Sequence, residues 1–227
     1  MAEKAGAIIV AAGASQRMGG IDKVLVPVGG KPVLAWVIDT FEGCRAIGQI
    51  IIVVNEKNME KVRQLIENQG WYKVSELCTG GNRRQDSVRK GLDRLDKCDW
   101  VVIHDGARPL VTVRLIEQGL KAAVETGSAV AAVPVMDTIK VAGQDRYVWH
   151  TPARDTLWSV QTPQVFRFDI INEAYHRAKD EVTDDATLVE QLGHKVKLYE
   201  GSYDNIKVTT PDDLILAEAY LKNRGSK

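Results

Sequence analysis

The chain is poor in cysteine, and that scarcity excludes a good deal. Cys44, Cys78 and Cys98 are the only 3 cysteines in 227 residues, odd in number and far apart. They form no C-x-x-C and no zinc-ligand spacing, so neither a disulfide-stapled secreted scaffold nor a zinc ribbon is expected. The 4 histidines, His104, His150, His176 and His194, contain no H-x-x-x-H pair, which removes a helical zinc site. An excess of charge of either sign is also missing, since 30 basic residues face 30 acidic ones. Global charge therefore gives no reason to expect nucleic acid or a membrane surface as partner, and any anion site must be built locally. No signal peptide and no apolar run long enough for a membrane helix is visible, so a cytoplasmic location is expected. Two nucleotide signatures are absent as well: there is no G-x-x-x-x-G-K-[ST] and no G-x-G-x-x-G. Repeats and low-complexity segments are lacking too.

What is present is an ordinary globular composition, 44% hydrophobic and 26% charged, in a length that suits one α/β domain. Apolar runs alternate with amphipathic segments. Strands are expected at 7–12, 49–54, 72–77, 100–104 and 129–133. Between them, helices are expected from Pro32, over 58–69, over 85–95, and from a Thr112 cap to about Thr126. Strands apolar on both faces and separated by helices predict a mostly parallel sheet covered on both sides. Right-handed crossovers then bring residues 11–23, 79–87 and 104–109 to one sheet edge, where open α/β sheets bind ligands.

The pattern breaks between Pro134 and Pro163. Lys140 to Tyr147 reads as strand, turn and strand, a protruding hairpin arm. Trp149, Leu157 and Trp158 need a partner surface there, either a second copy of the chain or the domain's own body. Helices at 168–178 and 184–192 follow, the second capped by Thr183. Short strands at 195–200 and 204–208 precede a last helix opened by Thr210-Pro211-Asp212-Asp213. The whole of 1–227 is expected to form a single domain, with the arm at about 134–160.

Four segments could carry chemistry. Ala11-Ala12-Gly13-Ala14-Ser15-Gln16-Arg17-Met18-Gly19-Gly20, then Lys23, follows the first strand. Its small residues let a phosphate approach the backbone, and Arg17 and Lys23 supply two cations. Solvated cations on a plain turn are the alternative. Gly80-Gly81 permits a tight approach, and Asp86 and Ser87 could read a nucleoside or simply cap a helix. His104-Asp105-Gly106-Ala107-Arg108-Pro109 offers a carboxylate and a phosphate fork, unless the two merely pair with each other. Asn205-Ile206-Lys207-Val208-Thr209 sets a lysine between apolar neighbours, either snorkelling to solvent or facing an anion. Lys140 and Arg154 on the arm are further candidate phosphate contacts.

Taken together, A-A-G-x-S-x-R-M-G…K, G-G-x-x-R-x-D-S-V, H-D-G-A-R-P, D-T-I-K, L-W-x-x-Q-T-P-Q and N-I-K-V-T closely resemble the 2-C-methyl-D-erythritol 4-phosphate cytidylyltransferase family, from Ile8 to Leu221. The resemblance implies a Rossmann-like α/β nucleotidyltransferase whose arm interlocks two subunits. It also implies cytidylyl transfer from CTP to methylerythritol 4-phosphate with release of pyrophosphate, in isoprenoid precursor synthesis. Mg2+ or another divalent cation is implied on the triphosphate, with Asp105 near it. By the same resemblance Arg17 and Lys23 stabilise charge at the α-phosphate, and Ala11, Ala12 and Gly13 form the triphosphate loop. Gly80, Asp86 and Ser87 match the cytidine pocket. Asp105, Arg108, Thr138, Arg154, Thr162, Thr183 and Lys207 match the acceptor site, Arg154 reaching it from the other subunit. One departure is that the lysine follows an acid, Asp22. A ribitol-5-phosphate cytidylyltransferase and a non-catalytic nucleotide-binding protein are the rival readings.

Overall fold

A computed structural model describes residues 5–13, 22–178 and 180–224. In chain order the described elements are β1 (Ala5–Ala11), β2 (Pro27–Val28), β3 (Lys31–Pro32), α1 (Val33–Gly43), β4 (Ile47–Val54), α2 (Met59–Gln69), β5 (Val74–Thr79), α3 (Arg84–Leu92), β6 (Trp100–Asp105), α4 (Val113–Ala123), β7 (Ser128–Pro134), β8 (Val141–Ala142), β9 (Val148–His150), β10 (Trp158–Arg167), α5 (Phe168–Arg177), α6 (Asp185–Gln191), β11 (Lys197–Glu200) and α7 (Pro211–Arg224). Seven of the strands build one sheet in the order β11-β7-β10-β6-β1-β4-β5. Every strand in it runs parallel to the rest except β10, which is antiparallel to both β6 and β7.

The period-2 alternation of strands sorts the core into two layers. Ala7, Ile9, Ile50, Ile52 and Val102 point to the face covered by α1, α2 and α4, with Leu34, Phe41, Val62 and Ile116. Ile8, Ile51, Val53, Val101 and Ile103 point to the opposite face, against Val88 and Leu92 of α3, Ile171 and Tyr175 of α5 and Leu188 of α6. Because both faces are covered, the strands read as unbroken apolar runs, which is why the parallel sheet was legible.

The chain steps outward from β1 to β4 and β5, then returns through α3 to β6 on the other side of β1. The sheet therefore has its switch point between β1 and β6. Their carboxyl ends, Ala11 and Asp105, open a crevice between the loops that follow.

Several expectations are corrected. Pro32 is the N-cap of α1, at φ −53° and ψ 143°, one residue before the first helical position. Residues 204–208 form no strand; instead the Val208 amide donates to Ala107 O at 2.8 Å and fastens the segment beside the β6 turn. The α6 cap is Asp184, whose carboxylate accepts from the Thr187 amide and hydroxyl, and Thr183 lies just outside it. The α3 and α4 helices stop at Leu92 and Ala123 rather than Leu95 and Thr126. Thr112 does cap α4, accepting from the Leu115 amide at 3.2 Å.

The largest surprise is β10, which no period-2 reading suggested. Its run Trp158-Ser159-Val160-Gln161-Thr162-Pro163-Gln164-Val165-Phe166-Arg167 is half polar and contains a proline. The register against β7 shifts between Val160 and Gln164, so Pro163 falls where the ladder is already broken. Between β7 and β10 the chain makes the expected hairpin, β8 pairing with β9 antiparallel. That arm does not fold back on the body: Tyr147 is 75% exposed and Trp149 71%.

Candidate active site

The crevice at the switch point is two cavities that share a wall. The first, of about 370 Å³, is lined by Ala11, Ala12, Gly13, Lys23, Gly81, Arg84, Ser87, Asp105 and Lys207, among others. The second, of about 500 Å³, is lined by Arg84, Asp105, Arg108, Thr162, Thr183, Lys207 and the start of β10. Arg84, Asp105 and Lys207 line both. Of the three sheet-edge segments expected to meet, the described residues 11–13 and 22–23, 79–87 and 104–109 do meet here, residues 14–21 lying outside the described residues.

The floor of the first cavity comes from two turns pressed together. A Cβ on Gly80 would run into Ala12 Cβ and into Ser87 Oγ, so only glycine lets these turns touch. Ser87, buried at the start of α3, accepts from the Gly81 amide at 3.1 Å and donates to Arg83 O at 3.2 Å. Asp86 closes a capping box with Arg83. The capping reading therefore accounts for Asp86, which does not line the cavity, while Ser87 holds the glycine turn in shape and lines it. Asp22 is turned away from the crevice into the β4–α2 link. It accepts from Asn55 Nδ2 at 3.0 Å and from Asn58 Nδ2, which anchors the turn that carries Lys23.

Asp105 is the electrostatic centre. Arg84 Nε donates to its Oδ1 at 3.1 Å, and Lys207 Nζ lies 2.7 Å from its Oδ2. Burial would push this carboxyl up, but Arg84, Lys207 and Arg108 outweigh burial and hold it well below the usual carboxylate range. It is therefore ionised at neutral pH, one anion among three cations. The expected pairing of Asp105 with Arg108 is only partly present: Arg108 Nε stands 3.8 Å from Asp105 Oδ2, too far for a hydrogen bond. Arg108 Nη1 donates instead to Asn205 O at 2.7 Å, and its buried Nε has no partner. Thr162 is buried, and its hydroxyl accepts from the Asp105 amide at 3.1 Å, tying β10 to the end of β6.

Arg84 is the residue that sequence reasoning missed. It faces both cavities. The signal was present in the R of R-x-D-S-V, but its partner Asp185 lies 101 residues away. Thr138 and Arg154 are not brought into the crevice; both are exposed on the arm, where Arg154 Nη1 donates to Met136 O at 3.0 Å. Lys140 is exposed there too and donates to Thr151 Oγ1 at 2.8 Å. Arg17 falls outside the described residues. No cluster of three or more metal-ligating side chains is found among the described residues.

An open α/β sheet with small-residue turns and a cationic wall at its switch point places the chain in the Rossmann-like nucleotide-binding class. Residues 5–223 match the family model described as IspD, 2-C-methyl-D-erythritol 4-phosphate cytidylyltransferase. A protein of that name from Dehalococcoides mccartyi is 52% identical over 220 residues, covering 97% of each chain. Another, from Alkaliphilus oremlandii, is 48% identical over 97% of this chain and 96% of its own. The solved 4-diphosphocytidyl-2C-methyl-D-erythritol synthase of Anaerococcus prevotii superposes with a TM-score of 0.87 at 33% identity, over 97% of each chain. The chain belongs to the 2-C-methyl-D-erythritol 4-phosphate cytidylyltransferase family.

Proposed function

We propose that the chain, acting as a single domain over 1–227, transfers the cytidylyl group of CTP to 2-C-methyl-D-erythritol 4-phosphate and releases pyrophosphate. The observation that carries this reading is the shared wall: two adjoining cavities, one floored by small-residue turns, divided by Arg84, Asp105 and Lys207. Such a pair suits two phosphorylated substrates that must meet. Ala11, Ala12, Gly13, Gly80 and Ser87 take the nucleotide, with Asp86 supporting the turn. Asp105, Arg108, Thr162, Thr183 and Lys207 take the acceptor. Family membership supports both assignments.

A phosphate monoester has a second pKa of about 6, so it is mostly dianionic at neutral pH and attacks without a general base. The obstacle is repulsion between two polyanions. Lys23 and Arg17 stabilise the charge that develops at the α-phosphate, and Lys207 and Arg108 hold the incoming phosphate in line with the leaving pyrophosphate. A divalent cation, Mg2+ in the first instance, supplies further charge neutralisation when bound to the triphosphate. Asp105 would be the nearby carboxylate for such a cation, with phosphate oxygens and water supplying the other ligands.

Thr138 and Arg154 reach an acceptor by crossing to a second copy of the chain. The exposed aromatic surface of the arm supports a homodimer in which each arm completes the neighbouring acceptor site. Among the described residues no helix is long and apolar enough to cross a membrane. The unpaired thiols of Cys44, Cys78 and Cys98 support a reducing, cytoplasmic setting.

The test is Mg2+-dependent pyrophosphate release from CTP, with methylerythritol 4-phosphate and ribitol 5-phosphate offered separately. Turnover with the first alone is expected. Turnover with the second alone would move the protein to pentitol phosphate metabolism, and silence with both would overturn cytidylyl transfer to these acceptors and reopen the donor nucleotide and the binding-protein reading.

A further inference from the structure

Arg84 is gripped from both sides. In front, Asp105 Oδ1 accepts from Nε at 3.1 Å. Behind, Asp185 takes a bidentate fork, Nη1 to Oδ1 at 3.0 Å and Nη2 to Oδ2 at 2.8 Å. Asp185 is 1% exposed, and so is Tyr175, whose hydroxyl donates to Asp185 Oδ1 at 2.6 Å. Tyr175 comes from α5, Asp185 from α6, Arg84 from the start of α3 and Asp105 from the end of β6. A chain of hydrogen bonds thus runs from the dry α5–α6 layer to the wall between the cavities.

We propose that Tyr175 is a positioning residue for cytidylyl transfer, fixing through Asp185 where the Arg84 guanidinium stands between the two substrates. The proposal rests on the functional reading above. Tyr175 lines neither cavity, so it touches no substrate. Its ring belongs to the buried apolar cluster that includes Ile171, Ala174, Ala186 and Leu188, a place that phenylalanine would fill equally well. Packing therefore does not account for the hydroxyl. The carboxylate does: a buried anion needs its lone pairs filled, and charge-assisted bonds are the strong ones. Asp184 does not share the task, because it caps α6 and accepts from Gln164 Nε2 at 3.0 Å.

Without the phenol proton, Oδ1 of Asp185 keeps Arg84 as its sole donor among the described residues. The less-compensated carboxylate then draws the guanidinium back, at the expense of the bond to Asp105. Asp105 in turn takes a larger share of Lys207, which is removed from the acceptor phosphate. A hydroxyl remote from both substrates thereby sets the charge that they meet. Burial, followed by the Asp185 charge, pushes the phenol pKa far up, so the donor is protonated at any working pH.

Tyr175→Phe tests this, read by CTP affinity in calorimetry without acceptor, by KM and kcat in the pyrophosphate assay, and by Tm. Losing one hydrogen bond to a charged group should weaken CTP binding and raise the acceptor KM by about tenfold, with kcat within about twofold. In an Asp185→Asn background, where the negative charge and the bidentate fork that hold Arg84 are already lost, the same change should alter both by less than about twofold. A lowered Tm with CTP affinity and KM unchanged would overturn the proposal. So would a full-sized effect in the Asp185→Asn background. Absence of turnover by the unaltered protein would refute cytidylyl transfer instead, and the calorimetric comparison would still decide the role of Tyr175.

Discussion

His104 should make this protein acid-labile, in a pH window that opens well above that of the carboxylates. The side chain is the penultimate one of β6 and is completely buried. Its Nε2 lies 3.3 Å from Arg108 O; a carbonyl can only accept, so Nε2 carries the proton. Nδ1 has no partner, and the ring stacks at a tilt on Phe41, with centroids 5.3 Å apart. A proton added at Nδ1 would put a charge in apolar surroundings. Burial, with Arg108 and Lys207 adding to it and Asp105 opposing, lowers the pKa to about 3. In the unfolded chain the imidazole titrates near 6.5. Between these values the unfolded state binds one more proton than the native state, so stability falls as pH falls. At ~1.4 kcal/mol per pH unit the loss between about pH 6.5 and 5 is ~2 kcal/mol, and it approaches ~5 kcal/mol by about pH 3. A domain's whole stability is on the order of 5–15 kcal/mol. Asp105 acts elsewhere: its depressed pKa contributes stability that is lost only as pH drops below the unfolded carboxylate value of about 3.9. Urea unfolding at a series of pH values, for the protein and for His104→Gln, isolates the effect. Glutamine keeps an N–H for Arg108 O and cannot titrate. The histidine protein should lose about 2 kcal/mol more than the variant between pH 6.5 and 5. Parallel curves for the two would refute the argument.

Other predictions concern the reaction. Lys23→Ala should lower kcat by ~100-fold or more, as expected for a preorganised cation at a developing charge, with CTP binding retained; unchanged kcat would remove Lys23 from the chemistry. Arg154→Ala should raise the acceptor KM with little change in kcat. Mixing Arg154→Ala with Lys23→Ala should regenerate active sites in heterodimers, since each arm serves the other subunit; additive, unrescued activities would argue that the arm acts within one chain. Trp149→Glu should shift the sedimentation of the protein toward a monomer, because it places a charge in the apolar surface that the arm offers a partner.

The parts of the fold legible in the sequence were those governed by local pattern. Ile50 to Val54 is β-branched throughout and buried on both faces, so period and propensity agree. β10 was illegible because its stability is non-local. Gln161 and Gln164, which look like surface residues, are buried and spend their amides on Ser202 O, the Ala186 amide and Asp184. The site divides the same way. Turns that carry a glycine or a small residue announced themselves, because the backbone demands those residue types. Arg84 did not, since its meaning comes from Asp185 and Asp105 on other elements. Asn205 is similar: its backbone oxygen holds Arg108 and its amide donates to Thr162 O at 2.8 Å. No window of sequence around either residue contains the partner that gives it a role.

The central claim is a single in-line attack of the acceptor phosphate on the α-phosphorus of CTP at the shared wall. The stereochemical course with one diastereomer of CTP bearing sulfur on the α-phosphorus tests it most directly. One displacement predicts inversion at phosphorus in the product. Retention would require two displacements through a nucleotidylated side chain, and would contradict the account.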